Sequence, residues 1–374
     1  MRHLTRVLAG LVTAGAAVFP LAGASAATAA YGAGSKVYVS PRGYAHGSDT
    51  SCQTARFASI NKAIGAVRSG GTVIVCPGTY RTQAVVTKPL SLIGRGARID
   101  ARGQKPVSKK LPGGSGVVVY GTRNVVVEGF TIVNAGFDAV LVARSRHILV
   151  SHNLLTHNGD VGVDFNGTAD SLASHNISEF NKGGGFLIAD DLGATHFDEV
   201  SWNIAKYNPG GCGVIIAGHS TAGVWDNLVS HNVIEFNGLS RKSPGAGVVI
   251  ASEVPHERVS GNAVLDNLIR GNGLSGVTIH AHLANQNLND NLIAGNDIGT
   301  NNLLGDPIGL APPVTAVPDH RATGILVGSS SVIRVFIRGN YIHDNWFGIY
   351  LNGRIHAHIT GNRFHRVRIA VKVA

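Results

Sequence analysis

The chain has 374 residues, of which 44% are hydrophobic, with no charge-rich tract; this excludes a disordered polymer and allows a large buried core. Its 32 basic residues outnumber 22 acidic ones, giving a formal charge of +10 that favours a polyanionic partner. No clustered basic stripe or nucleic-acid-reading motif accompanies that charge, so an acidic polysaccharide or cell-surface glycan is expected rather than nucleic acid.

In chain order, residues 1–30 come first. Arg2, His3 and Arg6 precede an apolar stretch and small-residue cleavage options after Ala26 or Ala30, the layout of a secretory signal peptide. The apolar run is shorter than the roughly 20 residues of a membrane span, so a secreted, extracellular protein is expected. Residues 31–374 then form one domain, with an N-terminal cap at about 36–70. Within it Phe57, Ile60, Ala63, Ile64 and Val67 fall at helical spacing, predicting a helix that covers one end of the domain. Cys52 and Cys76 flank this helix and the next strand, and in an oxidising compartment they form a staple; Cys212 is left as a small buried hydrophobe.

From Asp138 onward the chain repeats. Strand-like runs begin at Asp138, Gly162, Gly185, Gly213, Gly247, Gly276, Gly324 and Gly348. A second phrase recurs between them, as "VSHNLLTHN" and "ASHNISEFN", and aligns Asn153, Asn176, Asn203, Asn232 and Asn340 in one file and Asn158, Asn181, Asn208, Asn237 and Asn345 in another. Asparagine suits tight turns, and its amide bonds to the amide one coil away. A period of this length with short β runs and no helical pattern predicts an all-β parallel β-helix solenoid. On these residues, about 72–374, the sequence resembles the right-handed parallel β-helix, or pectin-lyase-like, superfamily. The longer intervals carry loops at 238–246 and 301–322, rich in glycine and proline. The last run, "RIAVKVA", has no evident cap and leaves the oligomeric state open.

Alternation along each run assigns the first and third positions, such as Val163 and Phe165, to the core, and the second and fourth, Asp164, Asn166, Thr278, His280, Tyr350 and Asn352, to the outer face. The sixth position reaches a turn and reads Arg144, Thr168, Asp191, His219, Glu253, His282, Ser330 and Arg354. With coils about 4.8 Å apart, Asp191, His219, Glu253 and His282 are expected to stack as a titratable file with Asp190 beside it. Asp191 and Glu253, two coils or roughly 9.6 Å apart, suit the acid and base of inverting glycoside hydrolysis. Alternatively, in a lyase or epimerase, His219 or His282 is the base, while Arg144, Arg241, Lys242 or a calcium ion on Asp164, Asp190 and Asp191 neutralises a uronate carboxylate. His280 and His282 are also candidate metal ligands, and Asp164, Arg144, His280, His282, Tyr350 and Arg354 candidate substrate contacts. Trp202, Trp225 and Trp346 are available either for sugar stacking or for packing.

The order Asp164, Asp190–Asp191, then His219 in "GHS" is similar to that of polygalacturonase-type hydrolases. Here the acidic pair follows its strand rather than preceding it, and the accompanying basic element is missing, so hydrolysis and elimination both remain. The clustering of titratable groups on adjacent coils favours an enzyme that cleaves or modifies an acidic polysaccharide. The alternative is a non-catalytic glycan-binding or surface protein.

Overall fold

A computed structural model describes residues 35–304 and 321–374, apart from Ala45, His282 and Ala284. The expected leader, most of the 301–322 loop and His282 lie outside these residues. Short strands recur in threes. Val140–Ala143, Arg146–Ser151 and Leu154–Thr156 make one coil, and Val163–Asn166, Leu172–Ser174 and Ile177–Glu179 the next. Every strand of these coils pairs in parallel with its equivalent one coil away, for example Val163 with Val140 on one side and Phe186 on the other. Three parallel sheets therefore run along the solenoid, here called first, second and third in the order the chain visits them.

The core is a stack of like residues. Phe165, Ile188, Ile216, Ile250 and Ile279 from the first sheet face Val150, Val200 and Val229 from the second and Leu155, Ala205 and Ile234 from the third, all fully buried. The two asparagine files close the corners on either side of the third sheet. In one, Asn153, Asn176, Asn203 and Asn232 each donate Nδ2–H to the next Oδ1 at 3.0–3.1 Å, and the file continues through Asn267, Asn296 and Asn340 to Asn362. In the other, Asn158 donates to Asn181, and Asn208, Asn237 and Asn272 carry the series on to Asn301. The left-handed corner falls not on these asparagines but on the residue before each: His152, His175, Trp202 and His231 have φ of 54° to 58°. That residue turns the chain while the asparagine keeps its amide inward.

At the N-terminal side the helix Ile60–Ala66 buries Ile60, Ala63 and Ile64 in the same core, and Cys52 and Cys76 are joined as a disulfide. Among the described residues no helix is long and apolar enough to cross a membrane.

Candidate active site on the edge between the first and second sheets

Connections from the first sheet to the second are residues 121–122 and 144–145 in the early coils, then lengthen to 167–171, 190–198 and 219–227. The last two, with the next connection at 253–262, form a small sheet of their own, Thr195–His196, Val224–Trp225 and Val259–Ser260. This edge of the solenoid carries the expected file.

Asp190 and Asp191 close the strand Phe186–Ala189 and do different work. Asp190 is buried, and its carboxylate accepts hydrogen bonds from the backbone N–H of His219 (2.7 Å), Ser220 (3.0 Å) and Gly223 (2.7 Å) and from the Ser220 hydroxyl (2.8 Å). All its lone pairs are committed to shaping the next turn. Asp191 points outward with 46% of its side chain exposed, and both carboxylate oxygens lie 3.1 Å from Nδ1 of His219. One aspartate thus fixes the backbone of His219 and the other its ring.

The contact with Asp191 raises the His219 imidazole to about 9, helped by the fields of Glu253 and Asp190. The same contact holds the Asp191 carboxyl below its ordinary value, aided by the Nδ2–H of Asn166 at 2.9 Å. At neutral pH the pair is an aspartate facing an imidazolium.

The outer-face positions are mostly covered. Asp164 sits in register between Leu141 and Leu187, is only 1% exposed, and leaves Oδ1 without a hydrogen-bond partner. Burial, then the charge of Asp191, pushes its carboxyl well above the usual range. Burial does the same to Asp138, with the charges of Asp164 and Asp160 adding to it. Alternation gives the direction of a side chain, but the flanking coils cover it. Asp190 is engaged by the next turn and Asp164 is buried, and among the described residues no three His, Cys, Asp or Glu gather around a possible metal position.

Tyr350 is buried and packs edge-on against Phe347 beside Leu326. His280 is half-buried on Val277–Ala281 and Arg354 is exposed on Phe347–Thr360, both on other coils than the Asp191–His219 pair. Glu253 is exposed one coil beyond His219. Its neighbour Glu257, which the repeat pattern does not single out, is buried and accepts from the Glu253 and Val254 N–H groups and Ser252 Oγ.

Beside the pair lies a groove of about 810 Å³ on the same edge, where short connections meet long ones. Arg123, Arg144, Arg146 and His196 line it, and none of the residues lining it is acidic. Arg144 donates from Nε to the carbonyl of Leu192 at 3.0 Å, so it is anchored to the turn that carries Asp191. Sequence reasoning found Arg144 but missed Arg123, Arg146 and His196. The signal was present, because Arg123 and Arg146 are 23 residues apart, one short coil, and pair in register.

Stacked coils, three parallel sheets and an elaborated edge define a right-handed parallel β-helix of the pectin-lyase-like superfamily. Residues 95–305, more than half of the chain, match the profile of the family described as periplasmic copper-binding protein (NosD), and the chain belongs to that family. No curated protein sequence matches it. The fold is similar to the A-module of mannuronan C-5 epimerase AlgE4 from Azotobacter vinelandii, at 16% identity and TM-score 0.58 over 84% of this chain and 90% of the other. It is similar also to pectate lyase Pel9A, at 16% identity and 0.56 over 87% and 78%. A third likeness is to PfbA, a surface adhesin of Streptococcus pneumoniae, at 12% identity and 0.58 over 83% and 87%. At these identities the likeness is one of fold.

Proposed function

We propose that the protein is an extracytoplasmic enzyme that cleaves an acidic polysaccharide by elimination, with His219 as the base, Asp191 as its orienting partner and Arg144 neutralising the uronate carboxylate. The observation that carries this reading is the contact of His219 with Asp191 at 3.1 Å on the edge that also bears the arginine-lined groove. Hydrolysis needs two carboxyl groups on opposite sides of the scissile bond, separated by about 5 Å or more. Asp191 spends its carboxylate on His219 instead, and Glu253 contributes only its field to that pair. A histidine held by an aspartate acts from one side, as proton abstraction beside a carboxylate requires. His219 takes the proton from the carbon bearing the carboxylate, and the electron pair becomes a carbon–carbon double bond. The bond to the neighbouring glycosidic oxygen breaks, and that oxygen takes a proton from water.

The family's description names copper, and the described residues do not fit it. Among the described residues the rings of His152 and His175 are stacked 5.0 Å apart and within 5° of parallel, so their in-plane lone pairs do not converge, and no three possible ligands gather. The words periplasmic and surface in the descriptions of the family and of PfbA support a location outside the cytoplasm, in line with the leader expected at residues 1–30.

The test is to incubate the mature protein with pectate, alginate, hyaluronan and neutral glycans, following ultraviolet absorbance from unsaturated uronates and new reducing ends. Since His219 must be neutral to act as a base, turnover should rise with pH toward about 9, and His219→Gln and Asp191→Asn should each lower it at least a hundredfold. Reducing ends without absorbance would replace elimination by hydrolysis. Binding without any turnover would leave a glycan-binding scaffold.

A further inference from the structure

Along the edge between the first and second sheets, one file of residues is continuous in register: Arg123, Arg146, Ala169, His196 and Trp225. Four of these positions carry large side chains. The His196 and Trp225 rings stack at 4.8 Å, and the guanidinium of Arg258, from the coil beyond, lies 4.7 Å from the Trp225 ring. Ala169 interrupts the stack with a methyl group. Because coils repeat at about 4.8 Å, Arg146 and His196 are separated by roughly 9.6 Å, and with one layer missing between them the gap is one ring thick.

The gap belongs to the 810 Å³ groove, which Ala169, Gly167 and Ala194 also line. Its charged lining is made of guanidinium groups from Arg123, Arg144 and Arg146. His196 lines the groove, and its Nδ1 is buried without a hydrogen-bond partner. A site that offers an imidazole face, guanidinium groups and one layer of space suits a flat ring bearing a carboxylate.

We propose that this gap is a binding subsite that takes one uronate ring of an acidic polysaccharide, its ring against His196 and its carboxylate on Arg146. The inference rests on the reading that the ligand is acidic, but not on where the chemistry occurs. Ala169 sets the subsite by its smallness, and a larger residue there would complete the stack with the protein's own side chain.

The test is calorimetric titration with hexagalacturonate and hexamannuronate, with maltohexaose as the neutral control, using Asp191→Asn as a background that does not turn the ligand over. Ala169→Leu and Arg146→Gln in that background should each weaken binding at least tenfold, with maltohexaose not binding in any case. Arg146→Gln, on the surface, keeps the test decisive if leucine at 169 unseats the coil. Unchanged affinity in a folded Ala169→Leu, or in Arg146→Gln, would overturn the subsite, as would equal binding of maltohexaose. Absorbance-yielding turnover of polymer by the wild-type protein is read separately, so failure of the subsite and failure of the lyase reading are told apart.

Discussion

At the scale of single residues, Asp190 and Asp191 show what adjacency in sequence conceals. Like charges side by side are tolerated because one carboxylate is saturated by the next turn while the other faces an imidazolium. Their clustering with His219 was legible from the repeat, but their division of labour was not, since it depends on which of two neighbours turns inward. Asp164 is the sharper case: its outward direction followed from alternation, whereas its burial follows from the leucines of the coils on either side. Its raised carboxyl has a measurable consequence. A group whose folded value lies above its ordinary 3.8 contributes stability that is fully present below that value and is lost as pH rises toward the folded one. Asp164→Asn, which cannot ionise, should therefore show a smaller fall in Tm than the wild type between pH 4 and pH 7. Parallel Tm-versus-pH curves would show that Asp164 stays ionised in the fold.

At the scale of elements, the asparagine files hold coil to coil. Asn203 Oδ1 accepts from the backbone N–H (2.9 Å) and the Nδ2–H (3.0 Å) of Asn176, and its own Nδ2 donates to the carbonyls of Ala173 and Ser201 and to Asn232. Asn203→Ala removes an acceptor from two buried donors, each costing about 1–3 kcal/mol when left unmade, so a loss on the order of 2–6 kcal/mol is expected by chemical denaturation. Asn362, at the last step of its file, is less buried and should cost less when changed in the same way. A loss at position 203 no larger than at 362 would mean that water substitutes freely along the file. These files were the most readable feature of the sequence, because a buried ladder demands one residue type at every coil. The connections between the first and second sheets were the least readable, because they change in length from 144–145 to 190–198 and a fixed-period alignment loses register there. That change of register hides the continuation of the arginine file to His196 and Trp225, whereas the stacks His152–His175 and Trp202–His231 stand at the left-handed corners beside the asparagines, where the repeat fixes position but not ring orientation.

At the scale of the whole molecule, the net charge of +10 and the guanidinium-lined groove act over different distances from the contact of His219 with Asp191. Attraction of a polyanion by the whole surface works through solvent and is screened within about 10 Å at 0.1 M salt and about 3 Å at 1 M. The contact of His219 with Asp191 spans only 3.1 Å, a distance that screening reaches only near 1 M, so salt weakens it less than the long-range attraction. Raising salt from 0.05 to 0.5 M should therefore weaken the capture of pectate tenfold or more, seen in KM and in the association rate, while kcat at saturating polymer changes by less than twofold. The ring contact with His196 is also less sensitive to salt than the guanidinium contacts, so some affinity should persist at 0.5 M in the wild type and largely vanish in Ala169→Leu. If kcat fell in step with affinity, the charges that capture the polymer would also be those that drive the proton transfer, and the base would have to be sought in the groove rather than at His219.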